Sequence, residues 1–159
     1  MGGAAALHPD RPAAALTVAE EVHDNPTDWV ARHIRQYVES GGSKGHRFYG
    51  KDALLLTTRG RRSGKLRRTA LYYGEDAGRY VLVGSDGGKR TDPAWCFNIA
   101  ANPAVVVQVR GETFAAVARL AEPDERPRLW ELMTGIFPTY ASYEKKARRQ
   151  LPVVVLERT

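Results

Sequence analysis

The sequence predicts an α+β domain in which helices flank a small, mostly antiparallel β-barrel of about six strands. Three observations carry that expectation. An amphipathic helical stretch near the N-terminus gives way after Gly41-Gly42 to short runs rich in Val, Leu, Thr and Tyr. Those runs follow one another in meander-like order, with turn residues between them. Helical pieces fall only at the ends and in one crossover.

The first helix opens at Asn25-Pro26-Thr27-Asp28, where Asn is a good N-cap, Pro suits the first helical position and Asp complements the helix dipole. Trp29, His33 and Tyr37, with Val30, Ile34 and Val38, recur at four-residue spacing and give one wide apolar face. His33 on that face reads as a packed histidine. Strands are expected over Ala53–Thr58, Arg68–Tyr73, Tyr80–Ser85, Ala104–Val109, Thr113–Leu120 and Val153–Leu156. Glu75–Gly78 and Arg110–Glu112 read as hairpin connections. Helices are expected over Pro93–Ala101 and Asp124–Ile136, with a shorter one over Ser142–Gln150.

A chain of 159 residues fits one domain, and that size buries about 68–70% of the unfolded surface. The single cysteine, Cys96, excludes an internal disulfide framework and fits a reduced, cytoplasmic compartment. The histidines His8, His23, His33 and His46 lack metal-ligand spacing, so no metal is expected. No apolar run reaches the length of a membrane span. Residues 1–24 read as a flexible Ala/Pro-rich leader, with peripheral contact to a membrane as the other reading, and the domain as residues 25–159.

The net charge of +6 is concentrated. Between Lys44 and Arg68 lie Lys44, Arg47, Lys51, Arg59, Arg61, Arg62, Lys65, Arg67 and Arg68 against Asp52 alone. The rest of the chain is slightly acidic. A compact basic zone on such a body points to a local anionic partner.

Two motif-like strings fail on context. Gly41-Gly42-Ser43-Lys44-Gly45 matches a nucleophile elbow but follows a helix, whereas the elbow needs a preceding strand. Gly60–Lys65 has one residue too few for a phosphate loop, and Leu66 stands where its Ser or Thr belongs. Gly60-Arg61-Arg62-Ser63-Gly64-Lys65-Leu66-Arg67 is instead a strand–turn–strand corner. Glycine turns expose backbone N–H groups, and arginine adds planar donors suited to phosphate or carboxylate. On physics alone a basic hairpin for nucleic acid fits as well, although no helix-turn-helix or finger pattern accompanies it. A second feature is the Gly-rich junction Val83-Gly84-Ser85-Asp86-Gly87-Gly88 leading to Pro93-Ala94-Trp95, where small residues would let a flat ligand approach the backbone. A third is the aromatic cluster Phe137-Pro138-Thr139-Tyr140 with Tyr143.

Taken together, these stretches resemble the deazaflavin-dependent nitroreductase family, whose members use coenzyme F420. The resemblance rests on Leu54–Gly64 followed by Arg67 and Leu71-Tyr72-Tyr73, on Gly84-Ser85, Asp92–Trp95, Asn98 and Asn102-Pro103, and on the C-terminal aromatic box and Leu151–Val154. It implies a split β-barrel akin to FMN-binding proteins, and hydride transfer from reduced F420 to a small conjugated acceptor such as a quinone, enone or nitro compound. By the same resemblance Arg61, Arg62, Gly64 and Arg67 hold the cofactor's phosphate and glutamyl tail. Val83, Gly84, Ser85, Pro93, Ala94 and Trp95 line its ring, and Tyr72, Tyr140 and Tyr143 face the acceptor. One of those phenols, or secondarily Ser85, would be the hydrogen-bond donor to the reduced acceptor. Phe137 replaces a tyrosine of the family pattern, and Asp86 stands where a lysine can occur. The expected partner is a small-molecule electron acceptor, not nucleic acid. An FMN- or haem-binding split barrel is the alternative on the same fold.

Overall fold

The structure is a computed structural model that describes residues 20–159. Nine strands form one sheet: β1 (Val22–Asp24), β2 (Arg47–Phe48), β3 (Lys51–Arg59), β4 (Leu66–Tyr72), β5 (Gly74–Asp76), β6 (Arg79–Val83), β7 (Ala104–Val109), β8 (Glu112–Leu120) and β9 (Val153–Arg158). The helices are α1 (Asp28–Glu39), α2 (Ala94–Ala101), α3 (Arg126–Ile136) and α4 (Thr139–Ala147). The strands run β1-β4-β3-β7-β8-β9-β6-β5, with β2 paired to β3. Every pairing is antiparallel except β1 with β4.

Strands β3, β6 and β9 are buried on both faces, which is why they read as near-continuous apolar runs. Along β3, Leu54 and Leu56 point into one core while Leu55 points the other way, against Val30, Ile34 and Tyr37 of α1. Along β6, Leu82 joins the same core as Leu54, and Val81 and Val83 face Leu129, Met133 and Tyr140 of α3 and α4. β3 and β6 are separated by three strands in the sheet order, yet Leu54 and Leu82 share one core. The sheet is therefore rolled, with Trp95, Cys96 and Ile99 of α2 filling it. Its two ends, β1 and β5, are not hydrogen-bonded to each other among the described residues, so the barrel is split rather than closed.

Several expectations need correction. Among the described residues the barrel has nine strands rather than about six; β1, β2 and β5 span only two or three residues each, too few for alternation to register. The leader does not extend to residue 24. Val22–Asp24 add a strand to β4, Asp24 binds the Arg68 guanidinium at 2.6 Å, and Glu20 binds Arg59 at 2.7 Å. The rest of that leader, residues 1–19, lies outside the described residues, and with it most of the segment expected to touch a membrane. No helix among the described residues is long and apolar enough to cross a membrane. Asn25 does not cap the first helix: its Oδ1 accepts from the Thr27 N–H at 2.9 Å in a turn before Asp28 opens α1. The last helix starts at Thr139 rather than Ser142 and ends at Ala147, where Arg148 takes a left-handed conformation. His33 is packed as expected, its Nε2–H donating to the Gly45 carbonyl at 2.7 Å.

Candidate active site

Two adjoining cavities run along the sheet between α1 and α4. The larger, of about 1070 Å³, is walled by Tyr72, Val83, Ser85, Trp95 and the aromatic residues of the α3–α4 junction, and opens past Trp29 and Tyr49. The smaller, of about 660 Å³, is walled by Arg61, Arg62, Ser63, Arg67, Ala94 and Asn98. Asn25, Thr69, Asp86, Pro93 and Trp95 border both, so the two form one groove with a basic end and an aromatic end.

The basic end is narrower in charge than the sequence implies. Arg59 and Arg68 are taken up by Glu20 and Asp24, and Arg47 by Asp52. Arg61, Arg62, Lys65 and Arg67 have no carboxylate partner among the described residues, and three of them line the smaller cavity. Arg61 lies over the Phe97 ring at 4.4 Å, which limits its swing. Buried Asn98 holds this corner: its Nδ2 donates to Thr58 Oγ1 and its Oδ1 accepts from the Arg61 N–H, both at 3.0 Å. Ala94 and Trp95 open α2, so their backbone N–H groups have no intrahelical partner. Gly64 is in the turn but not on the cavity wall. Its positive φ of 72° and its N–H bond to the Gly60 carbonyl shape the loop instead.

At the other end Phe137 is the hub of an aromatic box, with ring centroids 5.3 Å from Tyr72, 4.9 Å from Tyr140 and 6.1 Å from Tyr143. All three phenols line the larger cavity, and none of their hydroxyls has a hydrogen-bond partner among the described residues. Tyr140 is only 5% exposed, and burial pushes its hydroxyl well above the ordinary phenol range, with Tyr72 and Tyr143 adding to the effect. Burial raises Tyr72 as well. Tyr73 points to the opposite face, where its hydroxyl meets buried His46 at 2.9 Å. Lys51 places its ammonium 5.5 Å from the Phe137 centroid, a cation beside the box that sequence reasoning missed.

Between the two ends lies the β6–α2 loop. Ser85 lines the larger cavity with an unengaged hydroxyl among the described residues, and Val83, Pro93 and Trp95 complete the wall. Gly84 does not. A Cβ there would lie 2.5 Å from Cys96 Sγ and 2.8 Å from Pro152 Cγ, so core packing requires glycine at this position. Asp86 borders both cavities, 4.0 Å from the Lys89 ammonium.

Cations unpaired among the described residues and helix-start N–H groups at one end, and phenols without a hydrogen-bond partner among the described residues at the other, fit an elongated ligand with an acidic tail and a flat reactive head. The fold is a split barrel, and its groove has the length and polarity for such a ligand. Residues 29–158 match the family model described as F420H(2)-dependent quinone reductase, and the chain belongs to that family. Its cofactor is accordingly reduced coenzyme F420. An F420H(2)-dependent quinone reductase of Mycobacterium tuberculosis is 33% identical over 143 residues, covering 82% of this chain and 96% of that protein. Among solved structures, the F420-H2 dependent reductase FDR-A is 40% identical with a TM-score of 0.61, over 66% of this chain and 93% of that one. A domain-swapped dimer is 37% identical with a TM-score of 0.65, over 84% of this chain and 100% of that one. A haem-binding protein from Mycobacterium smegmatis, 20% identical with a TM-score of 0.53, over 79% of this chain and 50% of that one, shares the fold alone.

Proposed function

We propose that this chain reduces a quinone or a similar conjugated acceptor, with the cofactor tail in the smaller cavity and the acceptor in the aromatic box. The observation that carries the reading is the polarity of the one groove, cationic at Arg61, Arg62 and Arg67 and phenolic at Tyr72, Tyr140 and Tyr143. When bound, reduced F420 supplies the hydride. Arg61, Arg62 and Arg67 hold the phosphate and glutamyl tail through charge-assisted hydrogen bonds. Asn98 keeps the Arg61 backbone in place for them. Val83, Ser85, Pro93 and Trp95 wall the ring, and the apolar faces of Trp95 and Phe137 keep water from the reacting centre.

Hydride addition to a quinone builds negative charge on the carbonyl oxygen. Tyr140 remains protonated at any physiological pH, because its hydroxyl titrates above the ordinary phenol range. It therefore acts as a donor at that oxygen, stabilising the charge where it develops. Tyr143 is the second donor and Tyr72 the third, while Ser85 orients the ring or the acceptor. Phe137 removes one hydroxyl from the box and makes it more apolar, which favours quinones and enones over nitro compounds. The test is oxidation of reduced F420 by purified protein with menadione, an enone and a nitro compound in parallel. The reading requires turnover with the quinone. Turnover confined to the nitro compound contradicts it.

A further inference from the structure

The β6–α2 loop walls both cavities yet supports itself poorly. Within it the Gly88 N–H donates to the Ser85 carbonyl at 2.9 Å and the Lys89 N–H to the Asp86 carbonyl at 3.2 Å. Asp86, Gly87 and Gly88 stand in succession at φ of 46°, 65° and 82°, a costly conformation for the aspartate. A segment of this kind opens locally unless something outside it holds it.

That holder is Arg149, whose side chain is only 16% exposed. Its Nε donates to the Lys89 carbonyl at 3.0 Å, and its Nη2 to the carbonyls of Thr91 at 2.9 Å and Ser85 at 3.3 Å. Its Nη1 donates to the Gly84 carbonyl at 3.4 Å and to the Asp92 carboxylate. The left-handed Arg148 ends α4 immediately before it. The same loop also abuts α4 directly. A Cβ on Gly88 would lie 3.1 Å from Tyr143 Cα, and the Lys146 ammonium reaches the Gly87 carbonyl at 3.4 Å. The loop that walls the ring is thus docked on the helix that carries Tyr140 and Tyr143.

We propose that Arg149 is the positioning residue for hydride transfer: its guanidinium fork spans the loop from Gly84 to Asp92 and fixes the ring wall relative to the phenols of α4. A planar fork reaches acceptors at both ends of the loop at once, which a single ammonium cannot. The proposal rests on the cofactor reading above. Its physical consequence is steep, since displacement of a reacting centre by about 1 Å costs on the order of 10²-fold in rate.

The experiment compares full-length wild type with Arg149→Gln, Arg149→Lys and Asp92→Asn. It reads tryptic cleavage after Lys89 or Arg90 without cofactor, F420 affinity by titration, and single-turnover hydride transfer at saturating cofactor. Arg149→Gln is expected to be cut about tenfold faster in the loop and to transfer hydride about 10²-fold more slowly, with weaker F420 binding. Arg149→Lys should fall between it and wild type. Asp92→Asn should fall between wild type and Arg149→Gln, because the four carbonyl contacts persist while the charged partner is lost. A folded Arg149→Gln with wild-type cleavage and wild-type transfer overturns the proposal. So does an Asp92→Asn loss equal to that of Arg149→Gln, or an Arg149→Lys that matches wild type throughout. If Arg149→Gln does not fold, the Lys and Asn variants decide by the same ranking. Failure of wild type to bind F420 would refute the cofactor reading, while the cleavage pattern would still judge the clamp.

Discussion

Replacing Tyr140 by Phe removes one oxygen atom and leaves the ring. The ring's edge-on packing against Phe137, at 4.9 Å between centroids, is retained. The hydroxyl has no protein partner among the described residues, so no buried acceptor is orphaned by its loss. Stability should therefore change by less than about 1 kcal/mol. Cofactor affinity should hold too, since the cations of the smaller cavity are untouched. The rate should not: a donor aimed at developing oxyanion charge is worth about 10²–10³-fold. Because burial keeps the phenol protonated, the wild-type single-turnover rate should show no loss attributable to Tyr140 up to about pH 10, the unperturbed phenol value. The assay is stopped-flow oxidation of reduced F420 bound to each Tyr→Phe variant, with one quinone and one enone. Losses should rank Tyr140, then Tyr143, then Tyr72. Full activity in all three would refute the donor role.

Other outcomes follow from the same geometry. Arg62→Glu or Arg67→Glu should weaken F420 binding by about 1–3 kcal/mol by titration, with an unchanged melting temperature, because neither residue has an ion-pair partner to lose among the described residues. Gly84→Ala should destabilise the fold by about 1–3 kcal/mol in urea, and Cys96→Ala beside it should restore part of that by vacating the space of the sulfur. His46 titrates below its usual range because burial, and then the Arg110 guanidinium, oppose its charged form. The unfolded chain therefore binds the extra proton first, and stability falls as pH drops below about 6.5 toward the folded-state value. Thermal melts from pH 8 to pH 5 should show a steeper decline for wild type than for His46→Gln.

The legibility of this fold in its sequence follows element length. β3, β7, β8 and β9 each span six or more residues, long enough for burial to leave a run of Val, Leu and Ala. β1, β2 and β5 owe their existence to neighbouring strands. β1 in particular is held by Asp24 and Glu20 pairing with arginines about 40 residues away. The site divides in the same way. Arg61, Arg62, Arg67, Ser85, Trp95 and the three tyrosines stand in recognisable local strings. Their charge state does not, since only tertiary contacts show which arginines are neutralised. Gly84 carries a packing constraint that no local string marks, since a side chain there would meet Cys96 and Pro152 from distant parts of the chain. Asn98 stands within the family pattern, but its role emerges only when Thr58 and Arg61 meet it. Arg149 sits at the end of what reads as a helix, and nothing local marks the loop it holds.

The central claim is that one groove seats reduced F420 by its acidic tail and presents it to a conjugated acceptor at the phenols. Its most direct test is a parallel titration of wild type and Arg62→Glu with F420 and FMN, followed by turnover of the reduced cofactor with menadione. The account predicts F420 binding that the charge reversal weakens, menadione-dependent oxidation of reduced F420, and no comparable affinity for FMN. Tight FMN binding with no uptake of F420 would contradict it.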